Sequence, residues 1–343
     1  MTRFIVSFLI ANLIGAFFLY LAWSGLPTDQ LEAYFEQADT THLLTWGAIY
    51  VAVYIICHGA RIVRWYDLVR PLGEVDGKLV HRVCVVGFTA ILLLPLRLGE
   101  LVRPYLLSRR TPFSMSAVLG TAVVERVIDG LIITGLLFVT LATYSGEQST
   151  TFAYTTGALS AGIFIGALVT CLLALWSKSW TIGMVEKVFG FISKGLAEKL
   201  SGLLEGFIDG FRALIEARSL GRFLALTALY WGSNVVSMWL LARYGFGLDV
   251  SLWDMATVLA LLVIGIMIPA GPAMAGNFEF FFSRALGLFV VLEVFGAQVA
   301  ALAATVHVLQ FVVIVTPGVL VMWFDPESRN LIRLSEQAAA QAE

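Results

Sequence analysis

The chain has 343 residues, of which 59% are hydrophobic and only 13% charged, with a mean hydropathy of +0.86 and a formal net charge of −2. Soluble domains carry nearer a quarter of charged residues, so a soluble globular protein is excluded and an integral, polytopic membrane protein is implied. The near balance of 22 basic and 24 acidic side chains gives no reason to expect nucleic acid as a partner.

The first apolar run, FIVSFLIANLIGAFFLYLAW after Arg3, is longer than the core of a secretion signal and predicts a retained first span at about 4–23. A second span is expected at about 43–60. It runs into HGARIVRWYDLVRPLG, where Arg61, Arg64 and Trp65 read as an interfacial anchor or a lipid-headgroup contact.

The next apolar stretch, about 83–108, is interrupted. It contains ILLLPLRLGELVRPYLL, with Pro95, Gly99 and Glu100 where a helix should continue. Spacing of three between Arg97, Glu100 and Arg103 would align them on one helical face. A third plain span, about 116–143, carries Glu125, Arg126 and Asp129 in SAVLGTAVVERVIDGLIITG. There the i,i+3 spacing pairs Arg126 with Asp129. Each such charge costs on the order of 3 kcal/mol or more inside a bilayer, so the group is a candidate functional site. A lock between helices is the alternative reading.

A fourth span is expected at about 152–176. Residues 177–222 then alternate apolar positions three or four apart with Lys and Glu, and predict an amphipathic segment on the cytoplasmic membrane face that joins two halves. A fifth span, about 223–243, leads to a second interrupted stretch, about 252–296, containing VIGIMIPAGPAMAGNFEFFF. Its breakers are Pro269, Pro272 and Gly276; Asn277 could add hydrogen-bond donors near Glu279. The last span is expected at about 298–323, and within it His307 reads as a packed or hydrogen-bonded side chain, with a proton relay as the alternative. Cys57, Cys84 and Cys171 have no metal-binding spacing and read as packing residues.

Charge orients this chain. Lys and Arg crowd into 61–82, 103–110, 177–222 and the two ends, whereas 24–42, 144–151 and 244–251 carry only acidic residues. Both termini are therefore expected in the cytoplasm of a plasma (inner) membrane. Arg243 and Arg284 depart from the rule. The stretch 83–108 must start and finish on the inside, and 252–296 on the outside, so each crosses an even number of times. About 26 residues cannot cross twice, which makes 83–108 a re-entrant hairpin; 252–296 could be a hairpin or two nearly complete spans. Pro95 and Pro269 lie about half a chain apart, and paired breaks entering from opposite faces are the pattern of an inverted repeat with a site near the midplane. The expected fold is all-α and polytopic, with about six full spans, two interrupted or re-entrant hairpins and an inverted repeat. It forms a single transmembrane domain over 1–323, with halves of about 1–176 and 223–323 and a cytoplasmic tail, 324–343.

RIVRWYDLV, LPLRLGELVRPYLL followed by SAVLGTAVVERVIDGL, and IPAGPAMAGNFE together resemble the flippase-like membrane family, the transmembrane part of lysylphosphatidylglycerol synthase. The resemblance covers nearly the whole chain but not the synthase's aminoacyl-transferase domain. In that family the second break has the form P-x-x-P-G-G-x-G-x-x-E. Pro269, Pro272, Gly276 and Glu279 fit, whereas Ala273 and Met274 replace the glycine pair.

The resemblance implies movement of a polar-headed lipid between leaflets. Arg97, Glu100, Arg103, Glu125, Arg126, Asp129 and Glu279 are the expected headgroup and transport residues, with Arg97 and Arg126 for a lipid phosphate and Glu100 or Glu279 for a headgroup amine or a proton. Pro95, Gly99, Pro269, Pro272, Gly276 and Asn277 are the expected gate and hinge, the first break binding and the second moving. No hydrolase, phosphate-loop or metal motif is present, so no catalytic residue, metal or cofactor is expected, and membrane lipids are the expected partners. The competing classes are a proton- or ion-coupled carrier of a small polar solute and a scaffold for lipid-modifying enzymes.

Overall fold

The computed structural model describes residues 2–23, 34–146, 148–177, 179, 182–183, 187, 201, 208, 219–268 and 271–342. Among them the regular structure is helical, with no strand. Most of the amphipathic segment expected over 177–222, and Pro269, lie outside the described residues.

The helices are α1 (Thr2–Trp23), α2 (Thr40–Val69), α3 (Gly77–Leu93), α4 (Gly99–Arg110), α5 (Met115–Ala142), α6 (Thr151–Trp176), α7 (Ser219–Leu240), α8 (Leu252–Ile266), α9 (Asn277–Leu286), α10 (Leu292–Phe324) and α11 (Leu331–Ala342). Their starts follow from short polar residues placed where a helix leaves amide donors free. Asp39 accepts from the amides of Thr41 and His42, Asp76 from that of Lys78 and Ser114 from that of Ala117. At α8, Ser251 and Asp254 form a reciprocal capping box.

Four helical stretches, Thr40–Leu72, Thr151–Leu173, Leu220–Gly245 and Leu292–Phe324, are long and apolar enough to cross a membrane. With the charge-bearing α5 and the apolar α1 they supply the helices of a polytopic membrane protein. The two interrupted stretches differ from these in kind. Each is a helix, a break and a shorter helix folded back on it: α3 and α4 about Pro95–Arg97, α8 and α9 about Pro272–Met274. Helix α8 has 15 residues and α9 has 10, or about 22 Å and 15 Å at 1.5 Å per residue, against roughly 30 Å of hydrocarbon. Neither spans by itself, and residues from Leu292 onward already belong to the last long helix.

Helix α7 lies along α2, α10 lies against α3, and α8 lies against α5. Helix α1 touches both breaks, and α3 touches the second, so the interruptions meet inside the molecule although half a chain separates them.

Candidate functional site: a cationic cavity between the breaks

The first break is forced by Pro95. Leu94 before it is extended (φ −96°, ψ 141°), as steric conflict with a following proline requires, and the chain then makes one 3-10 turn. Arg97 is left-handed, with φ 60°. Gly99 lets α4 double back against α3, since a Cβ there would stand 2.2 Å from the backbone nitrogen of Ile91. No other residue fits that crossing.

The second break needs still more unusual backbone. Ala273 and Met274 have φ values of 58° and 60°, a conformation that costs an L-residue about 1–2 kcal/mol. Gly276 follows at φ +87°, with the Gly15 carbonyl of α1 occupying the place a Cβ would take. Glu279 secures the start of α9 by accepting the Gly276 amide at 2.8 Å. Asn277 does not supplement that carboxylate as expected. Its amide donates instead to the Ile268 carbonyl, 3.0 Å away, tying α9 to the end of α8.

The charged residues sort into two groups rather than the single cluster expected from sequence. The first is a buried knot. The guanidinium of Arg64 donates to Asp129 at 2.7 Å, to Glu125 at 3.0 Å and to Thr227 at 3.1 Å. Arg103 donates to the other oxygen of Glu125 at 2.6 Å, and the Trp231 indole to Asp129 at 3.3 Å. Arg64, Arg103, Glu125 and Asp129 are all buried, and two cations meet two anions. Such a knot satisfies itself, which is the condition under which charges survive in an apolar interior.

Three sequence expectations are corrected by this knot. Asp129 pairs with Arg64 of α2 rather than with Arg126. Arg103 turns from Glu100, three residues away on α4, to Glu125 of α5, while Arg97 keeps Glu100 as its partner. Arg64 and Trp65 are fully buried rather than interfacial, and the Trp65 indole donates to Thr121 at 3.1 Å beneath the Arg103 guanidinium.

The second group faces a cavity of about 100 Å³. Arg61, Arg97 and Arg126 line it from the first half, with Ala273, Met274 and His307 from the second, and the remaining walls are mainly apolar. Glu100 pairs with Arg97 at 3.0 Å and with Arg126 at 3.6 Å. Arg61 has no carboxylate partner among the described residues; its guanidinium lies 3.8 Å from the centre of the Phe88 ring. Three arginines thus share one carboxylate. With the knot neutral, an excess of two positive charges remains beside the meeting point of the breaks.

Residues 4–318 match the lysylphosphatidylglycerol synthase TM region. The chain belongs to that family. Among curated proteins, this family member is similar to "Glycosyltransferase AglD" of Haloferax volcanii, at 25% identity over 330 residues, covering 88% of this chain and 52% of the relative. It therefore spans about half the length of that relative. No solved structure matches.

Ala273 and Met274, which stand where the resemblance leads one to expect a glycine pair, are the two residues of the second break held left-handed. Two participants in this site, Arg61 and His307, take their partners from contacts that sequence alone does not show. Of the two sequence readings of Arg61, interfacial anchor or headgroup contact, the anchor does not hold, because α2 continues to Val69 and carries the residue inside, to the cavity wall. His307, packed or hydrogen-bonded by its sequence setting, is hydrogen-bonded, and its partners, Glu279 at 2.6 Å and the Ala273 carbonyl at 2.7 Å, both come from across the fold. Arg243, anomalous by the positive-inside rule, pairs with Asp249 at 2.8 Å, and Arg284 lies 5.8 Å from the centre of the Phe280 ring.

Proposed function

We propose that this chain moves a lipid with an anionic, phosphate-bearing head between the two leaflets of a membrane, without ATP. One observation carries the reading: Arg61, Arg97 and Arg126 share only Glu100 in an apolar cavity between two broken helices. Uncompensated charge in such a place is costly, and a phosphate offers the complementary charge and geometry for arginine. A cavity of about 100 Å³ takes a phosphate-sized group and a few waters, leaving acyl or isoprenoid chains outside in hydrocarbon. Family membership gives a lipid-related setting, and the chain itself is read as a transporter and not an enzyme.

The same reading assigns α2 to α5 and α7 to α10 as inverted halves of one transmembrane domain, with both termini cytoplasmic and the hairpins re-entrant from opposite faces. Reciprocal contacts support it. The first arm of each hairpin, α3 or α8, lies against the helix that follows the other hairpin, α10 or α5.

Purified protein in vesicles containing a fluorescent phosphate-headed lipid tests the proposal. Wild type is expected to equilibrate the label between leaflets, Arg97→Gln and Arg126→Gln to slow this at least about tenfold, and a neutral-headed analogue to move poorly. Equal rates for wild type, variants and empty vesicles would remove lipid translocation. Uptake of a water-soluble anion without lipid movement would replace it with solute transport.

A further inference from the structure

His307 bridges the two ends of the second break. One ring nitrogen meets Glu279 Oε1 at 2.6 Å and the other meets the Ala273 carbonyl at 2.7 Å, while Phe278 stacks on the ring face at 4.3 Å. A carbonyl only accepts, and an ionised carboxylate only accepts. Both contacts can therefore be hydrogen bonds only if the ring carries two N–H groups, or if it carries one and the Glu279 carboxyl carries the second proton. Either way, His307 and Glu279 together hold one proton more than a neutral imidazole beside a carboxylate.

Removal of that proton leaves one nitrogen lone pair facing an acceptor at under 3 Å, whichever tautomer forms. If the remaining N–H stays on Glu279, the Ala273 contact becomes repulsive. Glu279 has an independent reason to keep its place, because its other oxygen caps the Gly276 amide. Ala273 has the opposite bias, being held at φ 58°. The weak end of the clamp is the carbonyl.

We propose that His307 and Glu279 form a proton-binding site whose single labile proton clamps the second break, and whose release to water frees the Ala273 carbonyl. The N–H bond, or the Glu279 O–H bond where the carboxyl carries the proton, breaks; the electron pair stays on nitrogen or oxygen, water takes the proton, the remaining ring N–H turns to Glu279, and no other reactant is required. The ligand class is thus a proton, and its coupling to lipid movement rests on the translocase reading above. The charged and titratable groups sharing the cavity are Arg61 and Tyr54 of α2, Arg97 of the first break, Arg126 and Asp129 of α5 and Tyr230 of α7. Glu100 pairs with two of those arginines, while α1, α3, α6 and α8 contribute no titratable side chain to the cavity. Asp129 is held in the knot by Arg64, which leaves His307 and Glu279 as the acid–base pair in direct contact with the break.

The test is hydrogen exchange of the backbone over 271–278 in the full-length protein in lipid nanodiscs, corrected for intrinsic rates, between about pH 5 and pH 9. Wild type is expected to lose protection by at least about tenfold as pH rises. Glu279→Gln is expected to stay protected throughout, because a glutamine amide can donate to the ring and leave the other N–H for Ala273. His307→Gln is expected to be unprotected and insensitive to pH. Nitrogen-15 spectra of His307 supply a second reading, with both nitrogens protonated, or one of them bonded to a protonated carboxyl, in the protected state.

Constant protection in wild type across that range would overturn the proposal, as would a loss of protection in Glu279→Gln that follows wild type. The translocase reading fails separately: protection that titrates in a protein that moves no lipid removes translocation and leaves the proton site. Lipid movement with protection that does not titrate does the reverse.

Discussion

Replacing Ala273 and Met274 one at a time by glycine should move stability in opposite directions, although both residues share the same backbone strain. Relief of a left-handed L-residue is worth about 1–2 kcal/mol, and the extra freedom of glycine in the unfolded chain takes back about 0.4–1 kcal/mol. Ala273 is only partly buried, so little packing is lost and Ala273→Gly should stabilise by about 0.5–1 kcal/mol. Met274 is buried at 9% exposure, and truncating a buried methionine costs about 2–5 kcal/mol. Met274→Gly should therefore destabilise by roughly 1–3 kcal/mol despite the same relief. Thermal unfolding in detergent, followed through the reactivity of the buried thiols of Cys57, Cys84 and Cys171, reads both variants. The expected shift for Ala273→Gly is a Tm higher by about 1–3 °C. A Tm lower than wild type for Ala273→Gly would show that the left-handed turn stores no strain, and the account of the second break would fall with it.

Arg64→Ala should cost about 3–5 kcal/mol, because it leaves Asp129 in the interior without a cation and Glu125 with Arg103 alone, whereas Arg126→Gln should change stability by less than about 1 kcal/mol. Denaturation midpoints of the two variants side by side check the division between knot and cavity, and equal losses would refute it. Gly276→Ala should be poorly tolerated, by on the order of 3 kcal/mol or more, since its Cβ would collide with the Gly15 carbonyl at a backbone angle unsuited to alanine. Yield and Tm of that variant report it, with Gly166→Ala, which has open space around its Cβ position, as the comparison.

Outside the membrane, partial burial alone would raise the Asp325 carboxyl, but hydrogen bonds from Arg110 and Ser328 outweigh it and hold the group below its ordinary value of 3.8. A depressed carboxyl stabilises above its unfolded pKa, and that contribution disappears as pH falls from about 4 through the lower folded value. Tm measured against pH should therefore fall in that window for wild type and fall less for Asp325→Asn.

The breaks were legible because their causes are local. Pro95, Gly99, Pro272 and Gly276 restrict or free the backbone wherever they stand, and the sequence alone locates the interruptions they produce. The charged residues were legible as a group, because charge in apolar sequence is conspicuous. Their partition was not. Which carboxylate Arg126 meets depends on where α2 delivers Arg64, and no spacing within α5 encodes that. The choice between anchor and headgroup contact for Arg61 was open for the same reason, since its depth is set by how far α2 continues past the apolar run. The partner of His307 was not legible, because a histidine and a glutamate 28 positions apart form a pair only once α9 has folded back.

The buried knot also divides the molecule by the strength of its seams. It fastens α2, α4 and α5 together through ion pairs, each costing about 3–5 kcal/mol to break, and ties α7 to them through charge-assisted hydrogen bonds at Thr227 and Trp231. Within the membrane helix α10 is joined to α2 of that block by the neutral bond from Gln310 to Tyr50, and to α3 by that from Thr89 to the Ile314 carbonyl, each worth about 1 kcal/mol. A protein with seams so unequal yields along the weaker one. The arginines then belong to the part that stays still, and the strained turn with its histidine belongs to the part that can slide against it.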